Sequence, residues 1–353
     1  VIGSEDVTVG ELGEAGVLAR VLRNLGPAAA ARVGPGDDCA VLGYAGESVV
    51  TTDTMIEGPD FRLAWHSGFD LGWKLAATNL SDVAAMGAVP VGLTVAFAVP
   101  RDLPVHYLEE VARGLTAACA ELAPGCGVVG GDLGRAPVLM AAVTALGDLG
   151  SQTPVLRSGA RVGDVVAYAG QLGLAGQGLA QLFADATEAD GTAHSRTLGE
   201  LRSAHPAAIA AQFAPVPPIS LGVVAAQAGA TAMMDVSDGL ALDASRIAAA
   251  SGVTMALRAD LLCAGFGEQA GEAVSVPAML FGGEDHGLLA TFPADDALPA
   301  GFVRIGEVVT REGDEASANP ADGPATTPGV LLDGAPVSPA GWDPYLVVPP
   351  GSN

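Results

Sequence analysis

The run DLGWKLAATNLSDVAAMGAVPVGLTVAFAV, residues 70–99, changes period halfway along. From Asp70 to about Met86 the apolar residues recur at helical spacing, with Asp70 as the expected cap and Gly87 as the expected stop. Val91 to Val99 is then a continuous apolar run of strand length. A helix that feeds a buried strand through one glycine is a unit of layered α+β packing. On the N-terminal side, Gly10 to Leu25 reads as a helix, followed by short strands at 39–42 and 48–52. On the C-terminal side come a helix from Pro104 to Leu122 and strands at 127–129 and 138–146. The order β-β-α-β-α-β-β predicts a mixed two-layer α+β unit.

The pattern breaks at Gly150-Ser-Gln-Thr-Pro154, which divides the chain into an N-terminal domain, 1–150, and a C-terminal α/β domain, 151–353. The second half restarts with strands at 165–168, 231–235, 253–257, 286–292 and 302–309. Helices are expected near 174–184, 221–227 and 240–250. Residues 185–200 read as a polar loop and 311–329 as a Pro/Gly-rich insertion.

Composition removes several function classes. Forty acidic residues against sixteen basic ones, a net charge of −24, disfavour nucleic-acid binding, which needs clustered cations. No apolar run approaches the roughly 18 residues of a membrane span. Cys39, Cys119, Cys126 and Cys263 have no CxxC or zinc spacing, and the first residues lack a signal-peptide pattern. A cytoplasmic setting is the expectation. Lys74 is the only lysine, so a Gly-Lys-Ser/Thr phosphate loop is excluded.

The acids carry the information through their positions. Asp37 and Asp38 close Gly34-Pro-Gly36. Asp53 is expected at the end of one strand, Asp132 at the end of another after Gly130-Gly131, and Asp235 at the end of a third, with Asp238 opening the next helix. Asp82 lies within about 20° of Leu71 and Leu75 and about 40° of Thr78 on the helical wheel. A carboxylate in an apolar stripe needs a partner, and Lys74 projects elsewhere. Oxygen-only ligands without paired His or Cys point to Mg²⁺, and several carboxylates around it to a bound polyphosphate.

Gly36-Asp-Asp-Cys-Ala-Val-Leu42, Thr51-Thr-Asp-Thr54, Asn79-Leu-Ser-Asp-Val-Ala-Ala-Met-Gly87, Gly130-Gly-Asp132, Leu156-Arg-Ser-Gly-Ala160, Asp235-Val-Ser-Asp-Gly239 and Gly282-Gly-Glu-Asp285 together resemble the thiamine-monophosphate kinase family, part of the aminoimidazole ribonucleotide synthetase-like ATP-binding superfamily. The resemblance implies an α+β fold of two domains. In it, an N-terminal ferredoxin-like four-stranded sheet pairs across a homodimer, and a C-terminal α/β domain follows. It implies ATP, several Mg²⁺ ions and thiamine phosphate as ligands. Carried over by motif, Asp38, Thr51, Thr52, Asp53, Asp82, Asp132, Asp235 and Asp238 would hold Mg²⁺. Gly131, Asp132 and Ser237 would contact the nucleotide. Asp60, Glu284 and Trp342 would lie at the thiamine phosphate. Asp53, Asp82 and Asp132 would be the residues on which catalysis depends.

The implied reaction is direct in-line phosphorylation of thiamine phosphate to thiamine diphosphate. Its acceptor oxygen is already ionised near neutral pH, so no general base is needed. Some positions depart from the family pattern: Asp60 stands where His is usual, Thr153 where Arg is common, and His286-Gly287 where Tyr-Glu is usual. Two other readings remain open at this stage: a superfamily synthetase that activates an amide in purine synthesis, and a non-catalytic acidic metal-binding protein.

Overall fold

A computed structural model describes residues 7–35, 39–310 and 329–341. Asp37, Asp38, Trp342 and the predicted insertion up to residue 328 therefore lie outside the described residues. Two sheets organise the chain. The first has four strands in the order Ser48–Ile56, Met140–Asp148, Val89–Val99, Val128–Arg135, and the second has seven strands, all between Val165 and Pro336.

In the first sheet the two helices Gly68–Ala85 and Val105–Leu122 pack together on one face. They approach so closely that a Cβ on Gly72 would fall 2.0 Å from the Val111 carbonyl oxygen, and one on Gly114 would fall 2.1 Å from that of Phe69. Only glycine permits this contact. Leu71, Leu75, Leu80 and Val83 of the first helix join Val111, Leu115 and the strand residues Leu93, Val95, Ala141 and Val143 in one core. Each buried aliphatic side chain of this kind stabilises the fold by roughly 1.5–3 kcal/mol. The helix begins one turn earlier than its sequence suggests. Ser67 is the cap and Asp70 its reciprocal partner, with Ser67 Oγ accepting from the Asp70 amide at 3.1 Å and Asp70 Oδ2 from the Ser67 amide at 3.2 Å. Gly87, at φ 77°, ends the helix as expected.

The connectivity corrects one expectation. The chain runs β-α-β-α-β-β, and Val89–Val99 pairs parallel with Val128–Arg135 through the intervening helix. A ferredoxin-like unit runs β-α-β-β-α-β, so the sheet is four-stranded but not ferredoxin-like. The departure is set by the Val105–Leu122 helix, which returns the chain to the same end of the sheet and makes its two flanking strands parallel.

In the second sheet the order is Ala335–Pro336, Val330–Leu332, Thr254–Leu257, Val303–Val309, Val165–Ala169, Gly287–Phe292, Ala232–Val236. It is antiparallel except where Val330–Leu332 meets Thr254–Leu257. Residues 185–200 are not a free loop. Thr187 bridges Ala193, a helix runs Leu198–Ala204, and Leu198 and Leu201 pack with Trp65, Leu182, Ile209 and Phe213. Spaced leucines were the signal overlooked among the polar residues. No helix among the described residues is long and apolar enough to cross a membrane.

The Gly68–Ala85 helix touches both sheets. Its polar residues at 74, 78 and 81 share one face and all meet the second half of the chain, as the site shows.

Candidate functional site

Strand pairing separates the predicted acids in a way their sequence neighbourhoods do not reveal. Asp53 and Asp132 are not at strand ends: their strands continue to Ile56 and Arg135, because the neighbouring strands run alongside for their full length. Across the sheet, Asp53 is level with Val143, Val95 and Gly131, on the face covered by helices. Asp132 is level with Ala96, Ala142 and Thr54, on the opposite face. Thr51 and Asp53 therefore point towards the Gly68–Ala85 helix, whereas Thr52 and Asp132 belong to the open face. Three strand spacings, about 14 Å, separate Asp53 from the strand of Asp132.

A cleft of about 420 Å³ gathers Thr51, Asp53, Asp60, Thr78, Asp82, Arg157, Asp235, Ser237, Asp238, Glu284 and His286. Six segments meet here: the Ser48–Ile56 strand, the turn after it, the helix Gly68–Ala85, the connection that carries Arg157, the end of the strand Ala232–Val236 and the Gly282–His286 turn. Thr51 Oγ1 donates to Asp82 Oδ2 at 2.8 Å, so Thr51, not Lys74, is the partner of that carboxylate. Ser81 Oγ donates to Asp235 Oδ2 at 2.8 Å, and His286 Nδ1 lies 3.3 Å from the same oxygen. His286 Nε2 is 3.2 Å from Thr78 Oγ1.

The electrostatics follow from burial and crowding. Burial, then the charges of Asp235 and Asp53, push the Asp82 carboxyl up to about 7. Burial, then Asp235, also raises Asp53. Burial alone would raise Asp235, but the His286 hydrogen bond and charge and the Ser81 hydroxyl outweigh it and hold Asp235 low. Burial works against a charged His286, yet Asp235 wins and raises its pKa. Asp238 is tied to Arg246 at 2.7 Å. Among the described residues, no three His, Cys, Asp or Glu side chains close on one preformed ion position. The donor chemistry nevertheless suits Mg²⁺: Asp53, Asp82 and Asp235 offer only oxygen, and each raises the cost of charging another, a cost that a divalent cation relieves.

The cleft continues past Asp60 and Glu284 into a second cavity of about 220 Å³, lined by Phe61, Trp65, Phe183 and Phe281 among others. The Arg62 guanidinium sits 4.6 Å from the ring centres of both Trp65 and Phe183. Asp60 Oδ2 accepts from the Ile56 amide at 2.7 Å, so this departure from the family pattern has a local structural partner, and burial raises its carboxyl. The Gly282–His286 turn is anchored by Asp285, whose Oδ1 accepts from the Ala175 amide at 2.8 Å at the start of the Leu174–Asp185 helix. On either side of it Glu284 (φ 76°) and His286 (φ 54°) adopt left-handed backbone, uncommon for residues with a Cβ. Both line the cleft.

Of the predicted residues, the structure thus brings together Thr51, Asp53, Asp60, Asp82, Asp235, Ser237, Asp238 and Glu284. Gly131 and Asp132 instead border a separate apolar cavity of about 270 Å³ at the Val128–Arg135 edge of the sheet, beside the Val105–Leu122 helix, with Val17, Leu22, Phe97 and Leu115. Sequence reasoning overlooked Arg157, a cation within the acid cleft, although it lies in Leu156-Arg-Ser-Gly-Ala160. It named His286 only as a departure from the family pattern, and it overlooked the aromatic pocket, whose parts are far apart in the chain.

The acids lie where the two sheets meet around the Gly68–Ala85 helix, and residues 36–149 match the model of the AIR synthase related protein N-terminal domain. Thiamine-monophosphate kinase of Mycobacterium tuberculosis H37Rv is 36% identical over 351 residues, 98% of this chain and 95% of that protein. The Stenotrophomonas maltophilia enzyme structure superposes with a TM-score of 0.68 at 29% identity, covering 91% of this chain and 95% of that one. The structure of AaThiL complexed with AMPPCP and TMP gives 0.66 at 27% identity over 96% and 99%. The chain belongs to the thiamine-monophosphate kinase family.

Proposed function

We propose that this protein transfers the γ-phosphoryl group of ATP to thiamine phosphate, forming thiamine diphosphate and ADP. The observation that carries this reading is the continuity of an acidic cleft with an aromatic pocket through Asp60 and Glu284. A phosphate ester of an aromatic cation needs both: flat apolar walls for the rings and a charge-compensated place for the phosphate. The relative bound to AMPPCP and TMP supports the same pair of substrates.

Asp53, Asp82 and Asp235, with Thr51 and Asp238 beside them, would hold Mg²⁺, which neutralises and orients phosphate oxygens when bound. Asp38, Thr52 and Asp132 complete the proposed ligand set. Ser237 and Gly131 would contact the nucleotide. Asp60, Glu284 and Trp342 would contact the acceptor. In the transfer, an acceptor phosphate oxygen forms a bond to Pγ as the bond from Pγ to the β-bridging oxygen breaks, and ADP leaves with that electron pair. The residues here position and screen; none has to remove a proton. Arg157 adds a fixed positive charge inside the cleft.

The open face of the four-stranded sheet supports a homodimer. Its rows are Val50 with Leu146 and Gly92, Thr52 with Thr144, Thr94 and Gly130, and Thr54 with Ala142, Ala96 and Asp132. A face so rich in uncharged residues, with Val50 68% exposed, suits a second copy, which would also enclose Thr52 and Asp132. A division of the chain near residue 150 is consistent with the first sheet ending at Asp148 and the second beginning at Val165.

ADP release measured with Mg²⁺ and ATP tests the function, comparing thiamine phosphate, formylglycinamidine ribonucleotide and no acceptor. Release dependent on thiamine phosphate is expected. Equal rates across the three would remove the assignment.

A further inference from the structure

Lys74 is the only lysine among sixteen basic residues, and its side chain is completely buried. A buried ammonium is tolerated only where acceptors surround it. It forms an ion pair with the Glu284 carboxylate. With the Gln212 amide oriented to satisfy both neighbours, Gln212 accepts from Lys74 Nζ at 3.0 Å and donates to the Ala175 carbonyl at 3.0 Å. Three segments distant in sequence thus meet on one nitrogen. An ammonium with three donors suits these few acceptors better than a guanidinium, whose five buried N–H groups would need more partners.

The position of its partner gives this contact a functional meaning. Glu284 lines both the acid cleft and the aromatic pocket. Its backbone is left-handed, at φ 76°, and its amide donates to the Ser237 carbonyl oxygen at 2.8 Å. A residue in that conformation persists when its surroundings over-determine it. Here the Ser237 contact holds the backbone and Lys74 holds the carboxylate. Thr78 and Ser81, on the same helix face, hold His286 and Asp235 instead, so one helix supports both the phosphate side and the acceptor side of the site.

We propose that Lys74 is a positioning residue for the acceptor: it fixes the Glu284 carboxylate at the mouth between the two cavities, so that binding of thiamine phosphate depends on Lys74, while ATP binding and the transfer step do not. This rests on the reading of Glu284 as an acceptor contact. Without the ammonium, the Glu284 side chain loses its buried partner and with it its fixed position at the mouth.

Steady-state kinetics of Lys74→Met, Glu284→Gln and the double variant test the proposal. Each single change is expected to raise the KM for thiamine phosphate about tenfold, with the KM for ATP and kcat within about threefold of wild type. The double variant is expected to match Glu284→Gln within about threefold, because both changes remove one device. An unchanged KM in Glu284→Gln removes the acceptor role of Glu284 and the proposal with it. A raised KM in Glu284→Gln beside an unchanged one in Lys74→Met overturns the role of Lys74 alone. Multiplying effects in the double variant, or kcat and both KM values moving together, also overturn it. If Lys74→Met does not accumulate folded, Gln212→Leu serves instead. Loss of the second acceptor is then expected to raise the KM for thiamine phosphate about threefold with no change for ATP, and an unchanged value refutes the proposal.

Discussion

Replacing Asp82 with asparagine should make the metal-free protein more stable while abolishing turnover. The substitution keeps the shape of the side chain and an acceptor for Thr51 Oγ1, and removes one charge from a crowded cleft. In the native fold, burial and the charges of Asp235 and Asp53 raise the Asp82 carboxyl to about 7. A rise of roughly three units above an ordinary carboxylate corresponds to about 4 kcal/mol at most. Partial exposure and the sharing of charge among neighbours reduce this to about 2–3 kcal/mol. The folded state holds the Asp82 proton more tightly than the unfolded chain does. Stability contributed at low pH is therefore lost as pH rises from about 4 towards about 7, and the full cost applies above that. Urea unfolding in EDTA at pH 5 and pH 8 measures the effect. Asp82→Asn should gain about 2–3 kcal/mol over wild type at pH 8 and only about 1 kcal/mol at pH 5. Mg²⁺ at pH 8 should stabilise wild type more than the variant. A variant less stable than wild type at pH 8 in EDTA would refute the reasoning, because Asp82 would then be a net stabilising group held by Thr51 and not a strained one.

Phe183→Ala removes an exposed wall of the aromatic pocket and one ring of the Arg62 stack. It should raise the KM for thiamine phosphate about tenfold, the equivalent of one aromatic contact, and leave the KM for ATP unchanged. Leu146→Arg puts a charge on the open sheet face and should turn the proposed homodimer into a monomer by light scattering; a dimeric variant would place the interface elsewhere. His66 is buried against Phe61 and Phe213, and burial, then the nearby Lys74 charge, lower its pKa to about 3. The unfolded chain protonates this histidine first, so stability is lost as pH falls from about 6.5 towards 3. His66→Phe should flatten that slope by up to about 1.4 kcal/mol per pH unit, as read from denaturation midpoints.

Much of the architecture was legible because local periodicity reports local structure. The helix and strand of residues 70–99, the stop at Gly87 and the strand at 165–169 need only their own residues. Asp82 was equally legible, since its angle to Leu71 and Leu75 is fixed by helix geometry. The ends of the strands bearing Asp53 and Asp132 were not, because a strand extends as far as its neighbours pair with it, and those neighbours lie about forty to ninety residues away in the chain. The helix Leu198–Ala204 was lost among polar residues because a few leucines against Trp65 and Phe213 suffice to fold it.

By itself, then, the sequence determined which residue types are present and what each segment does locally: acids beside small residues, a helix that must bury one face, a single lysine. The tertiary structure decided which side of the sheet each acid faces, so that Asp53 joins Asp82 and Asp235 while Thr52 and Asp132 face away. It also decided that Lys74, unpaired on its own helix, meets Glu284 and Gln212. Side chains alternate with every strand residue, and a buried charge takes its partner from whatever packs against it. Neither relation is encoded within a single segment; both arise when distant segments share one core.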